Sequence, residues 1–143
     1  MKDLMERLCL GTVQFGFDYG IANNSGKISE SEAFKILDYA QKEGLNTLDT
    51  AYAYGGSQEI IGKYCKQRGI GFNVISKLSL PEGKSSKDIS GYLKASLKTL
   101  GIKTMRGCLL HRFKDFLDNP KIWQSLEELK NEVRLIQKKI DDQ

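Results

Sequence analysis

Short apolar runs alternate with longer amphipathic stretches along the 143-residue chain. Four of the runs have the length and composition of buried strands, at residues 8–13, 45–49, 72–77 and 105–111. After each run, apolar residues recur every three or four positions, which is the pattern of a helix with one buried face. The order strand then helix, repeated four times, predicts a parallel sheet whose strands are joined by helical crossovers.

Capping and breaking residues mark the predicted helix boundaries. Ser29, with Glu32 three positions later, predicts a capping box at the start of the first helix. The apolar face of that helix is formed by Ala33, Phe34, Leu37 and Ala40. The later helices are predicted to begin at Ser57, at Ser85 with Asp88, and at Asn119-Pro120. The first three helices are predicted to end at glycines, namely Gly44, Gly69 and Gly101.

Four β/α units make half of an eight-unit barrel, which takes roughly 250 residues when complete. The predicted fold is therefore α/β, a partial TIM (β/α)8 barrel of about four β/α units with a parallel sheet. Residues 1–143 are predicted to form a single domain, the N-terminal half of such a barrel. The first and fourth strands of a half barrel lack a neighbour on one side. Leu8, Leu10 and Leu109 are expected on the inward faces of these strands, so open edges and wet apolar surface predict self-association.

Composition and charge narrow the class of protein. The chain is 40% hydrophobic and 28% charged, with a net charge of +4, which is typical of an ordinary soluble domain. No apolar run approaches the roughly 20 residues of a membrane helix, and the N-terminus lacks the apolar core of a signal peptide. These two observations predict a cytoplasmic protein that does not bind a membrane. No nucleic-acid binding is predicted either, because no basic stripe is interleaved with aromatic residues.

The three cysteines predict neither a disulfide framework nor a metal centre. Cys9, Cys65 and Cys108 are odd in number, widely spaced and without a CxxC pair. Cys9 and Cys108 lie in strand-like runs, so both are expected to be buried, reduced thiols.

Four residues with useful chemistry lie where predicted strands end. Asp49, Lys77 and His111 close the second, third and fourth apolar runs, and Tyr54 follows on the loop after Asp49. In a barrel of strands and helices, the site is built at the carboxyl ends of the strands. We therefore expect these four side chains to converge at one end of the sheet, with the Lys77 amine near both Asp49 and Tyr54.

Four segments together resemble the N-terminal half of an aldo-keto reductase: LCLGTVQFGFDYGIAN, TLDTAYAYGGSQEIIGKY, VISKL and GCLLHRF. The resemblance extends over roughly residues 6–138. The opening, LGTVQFG followed by YGIAN, is similar to a subgroup often associated with bacterial surface-polysaccharide biosynthesis. These motifs are specific for the family and carry little information about the substrate.

The resemblance implies an oxidoreductase that uses NADPH to reduce a carbonyl group of a small molecule (an aldehyde, a ketone or a sugar) to an alcohol. Tyr54 is the implied proton donor. A phenol is ordinarily a weak acid, with a pKa of about 10, so it needs an ammonium nearby to stabilise its anion. Lys77 has that implied role, Asp49 holds the lysine charged and oriented, and His111 orients the substrate oxygen.

The resemblance also implies which residues contact the cofactor. Gly11, Thr12 and Val13, on the first loop, match the position that touches the nicotinamide ribose, and Asp49 lies beside them. A tight strand exit explains the first three residues equally well. Arg112 is expected to do no more than solvate its loop.

Two other interpretations stay open at this point. The family continues into a fifth strand, whereas this sequence ends in KKIDDQ, so the chain is expected to be truncated. In the family, the groups that clamp the cofactor phosphates come from later strands. The chain would then be a catalytically dead fragment that serves as a structural or interaction module. Alternatively, a helix-rich binding protein would use the basic segment at residues 130–139.

Overall fold

The computed structural model describes the backbone of residues 5–79 and 88–141, and the side chains of these as far as residue 131. Within these residues the sheet has four strands: β1 (Leu10–Gly11), β2 (Thr47–Asp49), β3 (Asn73–Leu78) and β4 (Gly107–Leu110). All three strand pairs are parallel, and the spatial order is β1-β2-β3-β4. The predicted α/β fold of four units with a parallel sheet is confirmed.

The helices lie between the strands and after the last one. Their bounds are α1 (Val13–Gly16), α2 (Glu30–Lys42), α3 (Ser57–Arg68), α4 (Ile89–Leu100), α5 (Phe113–Asp118) and α6 (Lys121–Asp141). The first and fifth were not predicted from the sequence, since each is too short to show a helical repeat. The long helix α6 begins directly after Asn119-Pro120, as predicted.

Local capping chemistry sets several of these boundaries. The hydroxyl of Ser29 accepts a hydrogen bond from the backbone N–H of Glu32 at 3.2 Å, which confirms the predicted N-cap of α2. Gly69 and Gly101 end α3 and α4 in the left-handed conformation, with φ of +66° and +67°. That conformation is readily adopted only by glycine. The predicted cap at Ser85 lies outside the described residues.

The first strand differs from its prediction. β1 has only two residues, because Val13 already begins the helical turn α1. The run was expected to be buried, yet Leu8 is 46% exposed and Cys9 is also exposed. The prediction of a buried Cys9 is therefore wrong. The physical reason is the position of β1 at the edge of the sheet, where it has a neighbour on one side only.

The core lies between the sheet and its helices. Leu37 from α2 and Ile61 and Tyr64 from α3 pack against Leu48 and Val74 of the sheet, and all five are 2% exposed or less. Leu10 packs against this cluster too, so its predicted place on the inward face is wrong. A second cluster joins Leu78, Ile89 and Ile122.

The two faces of the sheet differ in burial. In β3, burial alternates: Val74, Ser76 and Leu78 are buried, whereas Lys77 on the opposite face is half-buried. Leu109, the register partner of Lys77 on β4, is 49% exposed. The face away from the helices is thus open, and it carries the residues discussed next.

Candidate active site

Backbone hydrogen bonds bring three strand ends and one loop together. After β2, the N–H of Thr50 donates to the carbonyl of Ile75, and the N–H of Tyr52 donates to the carbonyl of Lys77, both at 3.0 Å. After β4, the N–H of His111 donates to the carbonyl of Leu78 at 2.7 Å. The loop that carries Tyr54 is therefore tied to the carboxyl end of β3.

The Lys77 ammonium lies at the centre of the site. It forms an ion pair with the Oδ1 atom of Asp49 and donates to the Tyr54 hydroxyl at 3.4 Å. Its Nζ atom is also 5.2 Å from the centre of the Tyr54 ring. The predicted convergence of these three side chains at the carboxyl end of the sheet is confirmed.

His111 packs against the ring of Tyr54. Its ring meets the Tyr54 ring edge to face, with 5.8 Å between the ring centres and an angle of 81° between the planes. The Nδ1 atom of His111 is buried, and no described residue forms a hydrogen bond with it. His111, the fourth predicted residue, therefore lies beside the Tyr54 ring at the carboxyl end of β4.

The environment of Lys77 favours its charged form. Burial acts to lower the pKa of the amine, but the hydrogen bonds to Asp49 and Tyr54, together with the charges of these groups, outweigh burial and raise the pKa above its ordinary value. The lysine therefore stays protonated throughout the neutral range. A stable positive charge beside a phenol can stabilise the phenolate formed when the phenol gives up its proton.

The three first-loop residues differ in their surroundings. Gly11 is exposed, and a Cβ atom placed on it would meet nothing within 4 Å. Val13 is half-buried. Thr12 is fully buried, and its hydroxyl donates to the backbone carbonyl of Asp49 at 2.9 Å. Gly11 and Thr12 adjoin Asp49, and the contact of all three first-loop residues with a cofactor stays a prediction.

The loop after β4 has an ion pair that the sequence did not predict. Arg112 contacts Asp115 with both its Nη2 and Nε atoms, at 2.6 Å and 3.3 Å. The Asp115 side chain is only 5% exposed, whereas the Arg112 side chain is 55% exposed. This pair braces the turn that follows His111. The sequence indicates this pair only by the spacing of Arg112 from the acidic residues Asp115 and Asp118.

Two features are absent from the part of the chain that the structure describes. Among the described side chains, in residues 5–79 and 88–131, no three His, Cys, Asp or Glu are grouped so as to hold a metal ion. None of the described helices is long and apolar enough to cross a membrane.

Known proteins match this chain over most of its length. Residues 7–137 match the model of the Aldo/keto reductase family. Among curated proteins, the chain is 29% identical over 143 residues to "Uncharacterized oxidoreductase YrpG" of Bacillus subtilis, covering 86% of this chain and 41% of that protein. It is 27% identical over 139 residues to norsolorinic acid reductase B of Dothistroma septosporum, covering 85% of this chain and 35% of that protein.

Solved structures agree with the family match. PA4992, a putative aldo-keto reductase from Pseudomonas aeruginosa, superposes with a TM-score of 0.71 at 32% identity, covering 87% of this chain and 51% of that one. MGS-M4, an aldo-keto reductase from a deep-sea metagenome library, gives a TM-score of 0.64 at 25% identity, covering 86% and 41%. The chain therefore spans about half the length of PA4992 and 35–41% of the two curated relatives above.

Proposed function

The chain belongs to the aldo/keto reductase family, and on this basis we propose that it carries the proton-donating half of an NADPH-dependent carbonyl reductase. The single observation that carries the proposal is the Lys77 ammonium, which contacts both the Asp49 carboxylate and the Tyr54 hydroxyl. A positive charge beside a phenol stabilises the phenolate that remains when the proton passes to a substrate oxygen.

The first-loop residues support NADPH at this end of the sheet. Gly11 adjoins Asp49 in the register of β1 and β2, and the space beside its backbone is open. This open space leaves room for a flat ring beside the backbone of Gly11. We propose that Gly11 and Val13, together with Asp49, contact the nicotinamide end of the cofactor, and that Thr12, which is 0% exposed, lies behind them.

The residues of the chain supply the remaining steps of the reduction. When bound, NADPH provides the hydride that reaches the carbonyl carbon. Tyr54 gives its proton to the carbonyl oxygen, so that an aldehyde, ketone or sugar carbonyl becomes an alcohol. Lys77 stabilises the phenolate left behind, and Asp49 holds the ammonium in place. His111 orients the substrate oxygen beside the phenol.

A pair of tyrosine variants tests the role of Tyr54. Tyr54→Phe keeps the ring and removes the hydroxyl, so turnover of an aldehyde panel with NADPH is expected to fall about 10²- to 10⁴-fold, the usual contribution of a general acid. Tyr52→Phe is the matched control, because the Tyr52 ring packs edge to face on Tyr92 at 5.3 Å, and the hydrogen bond from Tyr52 to Lys77 joins backbone atoms that the substitution keeps. Equal turnover by the wild type and Tyr54→Phe contradicts the proposal.

The second candidate is that the 143-residue polypeptide by itself is catalytically inactive and serves as a structural or interaction module, since it spans 41% of one curated relative and 51% of PA4992. Charge-assisted bonds to phosphate are the strong contacts of a dinucleotide, and the family resemblance places those clamps on later strands. The 143-residue polypeptide alone is therefore expected to bind NADPH weakly. Fluorescence titration measures the affinity for NADPH. A dissociation constant in the micromolar range or below contradicts the hypothesis that the polypeptide is inactive because it lacks the phosphate contacts.

We also propose that the 143-residue polypeptide associates with itself through the open edges of the sheet. Leu109 on β4 and Trp123 on α6 are 49% and 57% exposed, and the apolar groove that they border also contains Met105 and Leu126. Exposed apolar area costs about 25 cal/mol per Å². Sedimentation is expected to give a mass above 16.1 kDa. A compact monomer at high dilution with a sharp unfolding transition contradicts this proposal.

A further inference from the structure

Three buried hydroxyl groups link the strand ends that carry the site. Thr12, Thr50 and Ser57 are each 0% exposed. The Ser57 hydroxyl lies 2.9 Å from the Thr12 hydroxyl and 3.2 Å from the Thr50 hydroxyl. The Thr12 hydroxyl in turn donates to the Asp49 carbonyl at 2.9 Å. The three side chains come from the exit of β1, the exit of β2 and the first turn of α3.

Counting protons gives this chain of hydroxyls one direction. Each hydroxyl has a single proton to donate. The Thr12 hydroxyl donates its proton to the Asp49 carbonyl. The Ser57 hydroxyl donates its proton to Thr12, where the hydroxyl oxygen and the backbone carbonyl oxygen, the latter at 3.0 Å, share it as acceptors. Thr50 is therefore the donor to Ser57. All three buried hydroxyls are satisfied, and the chain ends on the backbone of Asp49.

The same residues hold the backbone of Tyr54. The N–H of Ser57 donates to the Tyr54 carbonyl at 3.1 Å. The backbone of Gly16, at the end of α1, lies against the same carbonyl, because a Cβ atom on Gly16 would be only 1.6 Å from the Tyr54 oxygen. Asp49 and Tyr54, the two partners of the Lys77 ammonium, are thus attached to one hydrogen-bonded unit.

We propose that Thr12, Thr50 and Ser57 are positioning residues, which set the placement of Asp49 and Tyr54 around the Lys77 ammonium. The inference rests on the proposed function for its consequence in catalysis. Thr12 thereby has a task other than ligand contact, since its hydroxyl is turned away from solvent and committed to Asp49. Regular β1–β2 pairing ends at Gly11 and Asp49. Beyond that point the backbone N–H of Thr12 donates to the Asp49 carbonyl at 3.0 Å, and the hydroxyl chain adds side-chain links between the two exits.

His111 offers a direct readout of the site, because it is the single histidine of the sequence. Its imidazole C–H signals in an NMR spectrum need no further assignment, and the Tyr54 ring at 5.8 Å influences their chemical shifts. The variant Tyr54→Leu gives the signal positions without that ring. Thr12→Val removes only the hydroxyl at nearly constant volume, and Thr12→Ser keeps it.

A variant elsewhere separates positioning from general loss of stability. Tyr64→Phe also removes one hydroxyl, which donates to Asp38 at 2.9 Å on the helical side of the molecule. Thr12→Val is expected to move the His111 signals, by more than their linewidth, toward their positions in Tyr54→Leu. Thr12→Ser and Tyr64→Phe are expected to leave them at the wild-type positions.

Each outcome bears on the inference. His111 signals in Thr12→Val that coincide with the wild type overturn it, as does an equal displacement in Tyr64→Phe. If Thr12→Val does not fold, Thr50→Val, which removes the outermost donor of the chain, must give the same displacement, and its absence overturns the inference. The NMR readout does not depend on turnover. If the polypeptide is inactive in the turnover assay but its His111 signals are displaced in Thr12→Val, the positioning inference is supported and only the proposed reductase activity is contradicted.

Discussion

The close approach of Gly16 to Tyr54 leads to a quantitative prediction for Gly16→Ala. The added Cβ atom would lie 1.6 Å from the Tyr54 carbonyl oxygen, whereas ordinary contact begins near 3.4 Å, so the two backbones must separate by about 1.8 Å. Overpacking of this kind costs about 1–3 kcal/mol. The separation also stretches the hydrogen bond from Ser57 to Tyr54, which contributes about 1 kcal/mol.

We expect Gly16→Ala to lower the free energy of unfolding by about 1–3 kcal/mol, because the better helix propensity of alanine, worth about 1 kcal/mol, offsets part of the cost. This corresponds to a fall in Tm of roughly 3–12 °C. Denaturant and thermal unfolding at matched protein concentration measure the change. Gly11→Ala is the control, since its Cβ meets nothing within 4 Å and neither glycine has a positive φ. Equal stabilities of the two variants refute the reasoning.

Three further predictions concern other parts of the chain. Gly91→Ala in α4, where a Cβ meets nothing within 4 Å, is expected to raise the free energy of unfolding by about 0.5–1 kcal/mol, and a loss in a denaturant titration contradicts this. Iodoacetamide is expected to modify the exposed Cys9 well before Cys108, because burial raises the pKa of the Cys108 thiol to about 11; peptide mass spectrometry that finds equal rates contradicts this. Lys77→Met is expected to cost about 1 kcal/mol at neutral pH, since the pair with Asp49 is partly exposed. Because the pKa of Lys77 in the folded protein is raised above 10.5, its contribution to stability is complete below pH 10.5 and is lost as the pH rises through the higher folded pKa. A difference in unfolding free energy between the wild type and Lys77→Met that stays constant across that pH range contradicts this prediction.

Features governed by neighbouring residues were predicted from the sequence alone. The Ser29 cap and the glycine ends at Gly69 and Gly101 depend on a few adjacent positions, so composition and spacing identify them. The order of strands and helices follows from hydrophobic periodicity. The convergence of Asp49 and Lys77 follows as well, because the carboxyl ends of parallel strands must lie on one edge of the sheet.

The features that the sequence could not reveal depend on contacts between distant segments. Thr12 and Ser57 are 45 residues apart, and no local pattern distinguishes a threonine that closes a buried hydroxyl chain from one that contacts a ligand. In the sequence Gly16 cannot be distinguished from a loop glycine, whereas in the structure the Tyr54 carbonyl lies against it. Leu10 faces the helices, and Cys9 is exposed at the sheet edge. Apolar periodicity indicates that a strand is buried, but the face that is covered depends on which elements pack on either side, and only the tertiary structure decides this.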